Sequence, residues 1–478
     1  MTFSFYWHDY ETWGADPRRD RASQFAGVRT DEDLNPVGEP LVVYCKPSDD
    51  MLPQPIACMI TGITPQYAQQ HGLVEAEFIR AIHQQLATPG TCGVGYNSLR
   101  FDDEVTRNTL YRNLYDPYAR EWQNGSSRWD IIDMVRLTHA LRPEGIEWPK
   151  NDQGVTSFRL EELSVANGIE HAAAHDALSD VYATIGMARL VKQRQPKLYD
   201  YLFNSRAKQV VASRLNLQQR EAVLHVSAMY PAAQGCIAMV MPLIKHPANP
   251  NGIVVYDLRY DPEPLFSLDV ETLHQRLFTP KDQLPEDVAR LPIKTIHINK
   301  CPVVVPINTL DPQSAERWQI DLDQAERHRA ALLKADRFMA DIEQIHRQRE
   351  FEPVSDPDLA IYSGGFFSRS DRQRMNQIVE SEPETLADFP PVFDDPRLVE
   401  MLFRYRARNW PETLNQEERQ RWEEYRSERL MMEEGGGSIN LDLYLQILDQ
   451  LEADPELSEQ KRALIADLLA WAEQVAPL

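Results

Sequence analysis

The run Phe3-Ser4-Phe5-Tyr6-Trp7-His8-Asp9-Tyr10-Glu11-Thr12 opens the chain with an apolar, β-rich segment that ends in two carboxylates. On a strand, positions i and i+2 point to the same side, so Asp9 and Glu11 present their acids in one direction. Paired acids at a strand end suit a hard divalent cation, because Mg2+ takes oxygen ligands and accepts a substrate phosphate as a further one. Such a pair also decorates solvated edges of acidic chains, so its meaning depends on what the rest of the sequence brings to it.

Working outward, residues 1 to about 195 alternate β-rich runs (Phe3 to Trp7, Val42 to Cys45, Cys92 to Tyr96) with helical patterns at Glu75 to Leu86 and Val181 to Val191. That alternation is an α/β signature. Thr64-Pro65 reads as a helix N-cap followed by proline at the first helical position, just past a turn at Gly62. From about 205 to 310, β-branched segments (Ile237 to Leu243, Ile253 to Leu258, Thr295 to Asn299) alternate with turn clusters such as Asn249-Pro250-Asn251-Gly252. This predicts a small barrel or sandwich. After about Asp311 the pattern is helical and charge-rich, with helices predicted over Ala325 to Gln348, Arg397 to Arg408 and Gln416 to Met432. Glu433-Glu434-Gly435-Gly436-Gly437-Ser438 reads as a flexible break. Amphipathic stretches at Leu441 to Leu451 and Ser458 to Val475 follow it.

At 478 residues the chain exceeds what one hydrophobic core serves, and 42% apolar with 26% charged residues excludes wholesale disorder. The longest apolar stretch, Cys236 to Ile244, is interrupted by Pro242 and falls far short of the roughly 20 residues of a membrane helix. No basic start and apolar run precede Asp9, so no secretory signal is read and a cytoplasmic location is expected. Five cysteines, never in a C-x-x-C pair, argue against a disulfide framework and a zinc site alike. The net charge of −23 would by itself repel nucleic acid. Its distribution is uneven: from Arg189 to Arg220 eight basic residues stand against Asp200 alone. That window is either a solvated helix face or a dock for a polyanion or an acidic protein tail.

Two more clusters carry chemistry. In Gly95-Tyr96-Asn97-Ser98-Leu99-Arg100-Phe101-Asp102-Asp103-Glu104 an apolar strand runs through a turn into a helix with acidic first residues. This is ordinary helix-start chemistry. Yet Asp102 stands just past a second strand end, where an α/β sheet would bring it near the first pair. In His171-Ala172-Ala173-Ala174-His175-Asp176-Ala177-Leu178-Ser179-Asp180, an imidazole lies five residues before a carboxylate. That spacing lets one group hold a metal while the other reaches its bound water. The register is open, because His171 to Asp176 has the same spacing as His175 to Asp180.

In this order and at these separations, the three clusters resemble the DEDD superfamily of 3′-to-5′ exonucleases, in its His-containing DEDDh branch. The family pattern is D-x-E on the first strand, an aspartate after N-x-x-x-F, and H-x-x-x-x-D on a late helix. Asp9, Glu11, Asp102, His175 and Asp180 match it position by position, which selects His175 over His171. The resemblance is closer still to the bacterial exonuclease I family. It extends through Arg100 to Asn108, Gly168 to Thr184, Asn299-Lys300-Cys301-Pro302 and Tyr405-Arg406-Ala407-Arg408-Asn409, so it spans essentially the whole chain.

The resemblance implies an α/β, ribonuclease H-like nuclease domain (1–195), a central SH3-like β domain (196–345) and a C-terminal helical domain (346–478), together enclosing single-stranded DNA. It also implies two Mg2+ ions, replaceable by Mn2+, on Asp9, Glu11, Asp102 and Asp180. Asp9 would bridge both ions, Glu11 and Asp180 would complete the water-activating site, and Asp102 would support the leaving-group metal. His175 would be the general base, a role that suits a group titrating near neutrality.

Between Arg107 and Trp129 aromatics and arginines interleave. Bases stacked on aromatic faces, with arginines on phosphates, give sequence-tolerant binding of single strands. Arg107, Tyr115 and Trp122 are therefore candidate DNA contacts, although Tyr111, Tyr115 and Trp122 equally fit a helical core. Glu11 is expected to touch substrate as well as metal, and Phe158-Arg159 resembles a family substrate contact in which Arg159 reaches a phosphate. In the family the acidic C-terminal tail of single-stranded DNA-binding protein is a partner, with Arg142 and Tyr201 the expected surface here. A chain that encloses its substrate needs no partner subunit, so a monomer without membrane attachment is expected. Two alternatives stand: an exoribonuclease of the same superfamily, against which the roughly 280 residues beyond the nuclease core argue, and a catalytically silent scaffold, which has no need of a base.

Overall fold

The computed structural model describes residues 3–171, 176–347, 354–390 and 392–477. It comprises two compact units, neither contiguous in sequence: Met1–Arg128 with His171–Ile185 and Pro353–Leu478, and Trp129–Glu170 with Gly186–Glu352.

The first unit is organised by a five-stranded sheet of β1 (Ser4–Thr12), β2 (Ala22–Thr30), β3 (Leu41–Tyr44), β4 (Thr91–Gly95) and β5 (Ser127–Asp130). Their order is β3-β2-β1-β4-β5, and the chain leaves the unit along β5. Strand β1 pairs antiparallel with β2 and parallel with β4. Its alternation separates two functions: Tyr6 and Tyr10 join Phe25, Phe78, Ile79 and Ile82 in a core, leaving Asp9 and Glu11 to the opposite face. The helix Glu75–Leu86 supplies much of that core, and Thr64 caps the helix Pro65–His71 by accepting from Tyr67 N, both as the sequence predicts.

The C-terminal helices belong to the same unit. Trp13, Met51 and Leu52 share a core with Tyr444, Leu468 and Trp471, so the helices Leu441–Glu452 and Glu459–Val475 pack on the N-terminal segment. A buried ionic knot ties these segments as well. Asp50 is fully buried and accepts from Arg21 and Arg408, each at 2.9 Å, with Arg429 at 3.6 Å. Burial alone would raise the Asp50 carboxyl; the three guanidiniums instead hold it well below the usual carboxylate range. The glycine run is a fixed turn rather than a flexible break. A Cβ on Gly435 would lie 2.1 Å from the Glu428 carbonyl oxygen, and Gln54 Nε2 donates to Ser438 O at 3.3 Å.

The second unit holds a five-stranded antiparallel sheet of β6 (Val223–Val226), β7 (Ile237–Lys245), β8 (Gly252–Asp257), β9 (Ile293–His297) and β10 (Val304–Pro306). Its order is β10-β6-β7-β8-β9. Pro242 has no N–H for the ladder, and the β7–β8 register shifts between Pro242 and Ile244. The single helix predicted over Ala325 to Gln348 is two, Leu322–Leu332 and Asp336–Arg347. Lys334 and Ala335 donate to Ala331 and Leu332, and these three-residue steps tighten and end the first helix.

None of the five cysteines, all among the described residues, is in a disulfide, and four of them are buried. Among the described residues no helix is long and apolar enough to cross a membrane.

Candidate active site

Local geometry brings the predicted acids together. Glu11 sits opposite Gln24 and Asp9 opposite Ala26 in the β1–β2 ladder, which irregularly shifts register just after Glu11. Carboxylate oxygens of Asp9, Glu11 and Asp180 all lie within 4.8 Å of one another, although Asp180 is 169 residues beyond Glu11. Asp180 stands in the first turn of the helix Ala177–Arg194. That helix start is fixed from β2: Gln24 Nε2 donates to Asp176 Oδ1 at 3.3 Å, and Asp176 Oδ2 accepts from Ser179 N.

Asp102 approaches from β4. Gly95 ends that strand, and a Cβ there would lie 2.5 Å from Ser98 Cβ, so the close turn excludes side chains. The turn delivers Asp102, Asp103 and Glu104 into the first turn of the helix Asp102–Arg112. Asp102 Oδ1 accepts from the backbone N–H of Tyr10 at 3.1 Å, and Thr106 of the same helix donates to Tyr10 Oη at 3.0 Å. Asp103 is committed elsewhere. Despite burial, Arg120 and Arg128 hold it below the ordinary carboxylate range, with Arg120 hydrogen-bonded to it directly.

The electrostatics of the cluster are those of acids crowded without enough cation. Burial raises Asp9 well above its usual value, and Asp102, Asp180 and Glu11 raise it further. Burial pushes Glu11 up to about 8, with Asp180 and Asp102 adding to the effect. Three oxygen donors that repel one another at this spacing, with Asp102 near enough to raise Asp9 and Glu11 further, are the donor set of a hard divalent cation, which would relieve the repulsion. The residues fit such an ion.

His175 lies outside the described residues. The histidine the structure does place here is His171, whose Nε2 is 2.5 Å from Asp180 Oδ1. Spacing alone leaves His171 and His175 as equal candidates; His171 is nine residues from Asp180, a separation that neither five-residue register contains. The family pattern gave no reason to single it out, and nor did it point to Gln24. Gln24 owes its place to the β1–β2 register, which sets it opposite Glu11.

The DNA-contact candidates divide between the two units. Arg107 is buried, with Glu121 accepting twice, at 2.6 and 2.8 Å, Glu104 at 2.8 Å and Tyr362 Oη at 3.1 Å. A phosphate reaching it would compete with Glu121. Tyr115 is partly buried against His83 at 4.7 Å between ring centroids, Tyr111 is core, and Trp122 is 66% exposed. Beside Glu11, a cleft of about 640 Å³ is walled by Tyr10, Thr12, Ile56, Ile60 and Phe101. Phe158 and Arg159 belong to the second unit, with the Arg159 side chain 66% exposed and paired to Glu161 and Glu162. So do Arg142, which donates to Asp311 at 3.0 Å, and Tyr201, whose ring lies under Arg214.

Three family models cover the sequence in series: Exonuclease over residues 6–187, Exonuclease I SH3-like domain over 206–348, and Exonuclease I C-terminal domain over 355–475. Exodeoxyribonuclease I of Escherichia coli K12 is 47% identical over 473 residues, which are 99% of this chain and 98% of that protein. The chain belongs to the exonuclease I family. Solved structures of exonuclease I agree. That of Methylocaldum szegediense has 53% identity and a TM-score of 0.95, with 99% of each chain covered. The E. coli exonuclease I complex with a dA16 oligonucleotide has 46% identity and a TM-score of 0.95, covering 99% of this chain and 100% of that one. Further E. coli exonuclease I structures contain zinc with single-stranded DNA (45%, TM-score 0.94, 99% and 100% covered) and SSB (44%, TM-score 0.91, 100% of each).

Proposed function

We propose that this chain is an exodeoxyribonuclease that degrades single-stranded DNA processively from the 3′ end, releasing 5′-mononucleotides, in DNA repair and recombination. The observation that carries this reading is the convergence of the Asp9, Glu11 and Asp180 carboxylates in a member of the exonuclease I family. Asp9, Glu11 and Asp180, with Asp102 alongside, are assigned to hold two Mg2+ ions, for which Mn2+ would substitute. Bound there, the ions would neutralise phosphate charge and make water a nucleophile near neutral pH.

The chain's own residues do the rest. Ile56, Ile60 and Phe101 offer apolar walls to a terminal nucleoside, and Glu11 at the edge of the same cleft is shared between cation and substrate. His175 keeps the role the family pattern gives it, taking the proton of the attacking water. Asp102 holds its carboxylate in place through the Tyr10 N–H. Trp122 provides an exposed stacking face, Phe158 and Arg159 a stacking and phosphate contact, and Arg107 and Tyr115 further contacts.

For the remaining assignments we keep a nuclease domain at 1–195, an SH3-like domain at 196–345 and a helical domain at 346–478, in a monomer. The acidic tail of single-stranded DNA-binding protein would dock at Arg142 and Tyr201. Its carboxylates would compete with Asp311 for the Arg142 guanidinium.

A 5′-labelled oligothymidine tests the reading: it should shorten nucleotide by nucleotide with Mg2+, and stop in EDTA or with Asp9→Ala or Asp180→Ala. Digestion that persists in those variants would contradict it. Equal turnover of matched RNA would move the substrate to RNA, and binding without product in Mg2+ and Mn2+ would favour a silent scaffold.

A further inference from the structure

The second unit contains an aromatic box that no part of the reaction explains. His139, on the last turn of the helix Ile132–Leu141, is buried among Trp148, Phe158 and Trp318, with ring centroids 4.9, 5.4 and 5.3 Å away. Its Nε2 lies 3.0 Å from Thr156 Oγ1, and its buried Nδ1 has no hydrogen-bond partner. Burial, with Arg317 and Lys150 nearby, pushes the imidazole down to about 4, so it packs as a neutral ring. A phenylalanine would fill this space without a stranded nitrogen. What the imidazole adds is the bond to Thr156.

Thr156 belongs to a hairpin, bridged at Lys150 and Thr156 and closed by Ser157 N donating to Pro149 O at 2.9 Å. The next two residues are Phe158, which docks on His139, and Arg159, which projects into solvent. On its other side His139 meets Trp318, whose Nε1 donates to Ala140 O at 2.8 Å. Trp318 in turn is pressed by the turn preceding β7: a Cβ on Gly235, at φ +70°, would lie 2.6 Å from its ring. A continuous packed path therefore runs from the β6–β10 sheet through Trp318 and His139 to Phe158.

We infer that His139 and Trp318 are positioning residues for the Phe158–Arg159 substrate arm, setting its place from the central β segment without touching DNA themselves. This rests on the reading of Phe158 and Arg159 as substrate contacts. Rigid side chains held by neighbours fix the groups they support, and small misplacements weaken substrate engagement.

Steady-state digestion of oligothymidine by the full chain tests it. His139→Ala should raise KM for DNA by roughly tenfold, with kcat within about twofold. His139→Gln, which keeps a partner for Thr156, should recover most of the loss. Adding Phe158→Ala to His139→Ala should raise KM no further, because both act through one ring, whereas adding Trp122→Ala should raise it independently. Should His139→Ala not fold, Trp318→Phe, which keeps a ring but loses the N–H, makes the same comparison. An unchanged KM, a fall confined to kcat, or additive His139 and Phe158 effects would overturn the inference. Phe158→Ala and Arg159→Ala that leave KM unchanged would instead overturn the substrate assignment beneath it.

Discussion

The backbone N–H of Tyr10 donates to Asp102 Oδ1 at 3.1 Å, so the residue between the two first-strand acids also anchors the third. Asp102→Asn keeps an acceptor oxygen and removes a charge from the cluster. It should fold normally yet lose activity by on the order of 10³-fold. Asp102→Ala should lose as much activity and, in addition, about 1 kcal/mol of stability in urea unfolding, because the Tyr10 N–H is left unpaired.

Crowded acids predict a conflict between stability and function. Since burial and neighbouring carboxylates disfavour the charged form of Asp9, Asp9→Asn should raise the melting temperature of the metal-free protein while abolishing digestion. Calorimetry in EDTA and then in Mg2+ checks it. Mg2+ should stabilise the native protein and leave the variant unmoved, because a ligand stabilises only the state that binds it.

The knot at Asp50 predicts a structural phenotype. Asp50→Ala strands Arg21, Arg408 and Arg429 around a buried gap and should cost about 3–5 kcal/mol. The unfolding midpoint in urea reads this directly, and a variant within 1 kcal/mol of the native protein would contradict the assignment.

Acid sensitivity should follow from His8. Burial, then Arg120, push its imidazole down to about 4. An unfolded histidine protonates near 6.5, so between about pH 6.5 and 4 the unfolded chain binds the extra proton. Stability contributed at neutral pH is therefore lost as the pH falls through that window, by up to about 3 kcal/mol. His8→Gln should flatten the pH dependence of unfolding by about one proton.

Legibility in the sequence tracked how local each signal is. Strand β1, the helix Glu75–Leu86 and the capped turn at Thr64 were readable because alternation, periodicity and capping are written within a few residues. Strand β2 was not: Ala22–Thr30 is poor in β-branched residues, and its Gly27 serves a tertiary need, since a Cβ there would strike the Tyr6 hydroxyl at 2.3 Å. The fixed turn at Gly435 was hidden for the same reason, as its meaning lies in the Glu428 carbonyl and not in the glycines themselves. Motif order singles out Asp9, Glu11, Asp102 and Asp180, and the fold brings these four acids near one another. The contacts of His171 and Gln24 depend on where β2 and the Asp180 helix meet in space, and no spacing rule reports that.

The most direct test of the cation centre is anomalous diffraction from crystals soaked in Mn2+ and measured at the manganese edge. A strong peak contacted by the carboxylates of Asp9, Glu11 and Asp180 is the expected result. A map with no peak at those three side chains, from protein whose digestion still requires a divalent ion, would contradict it.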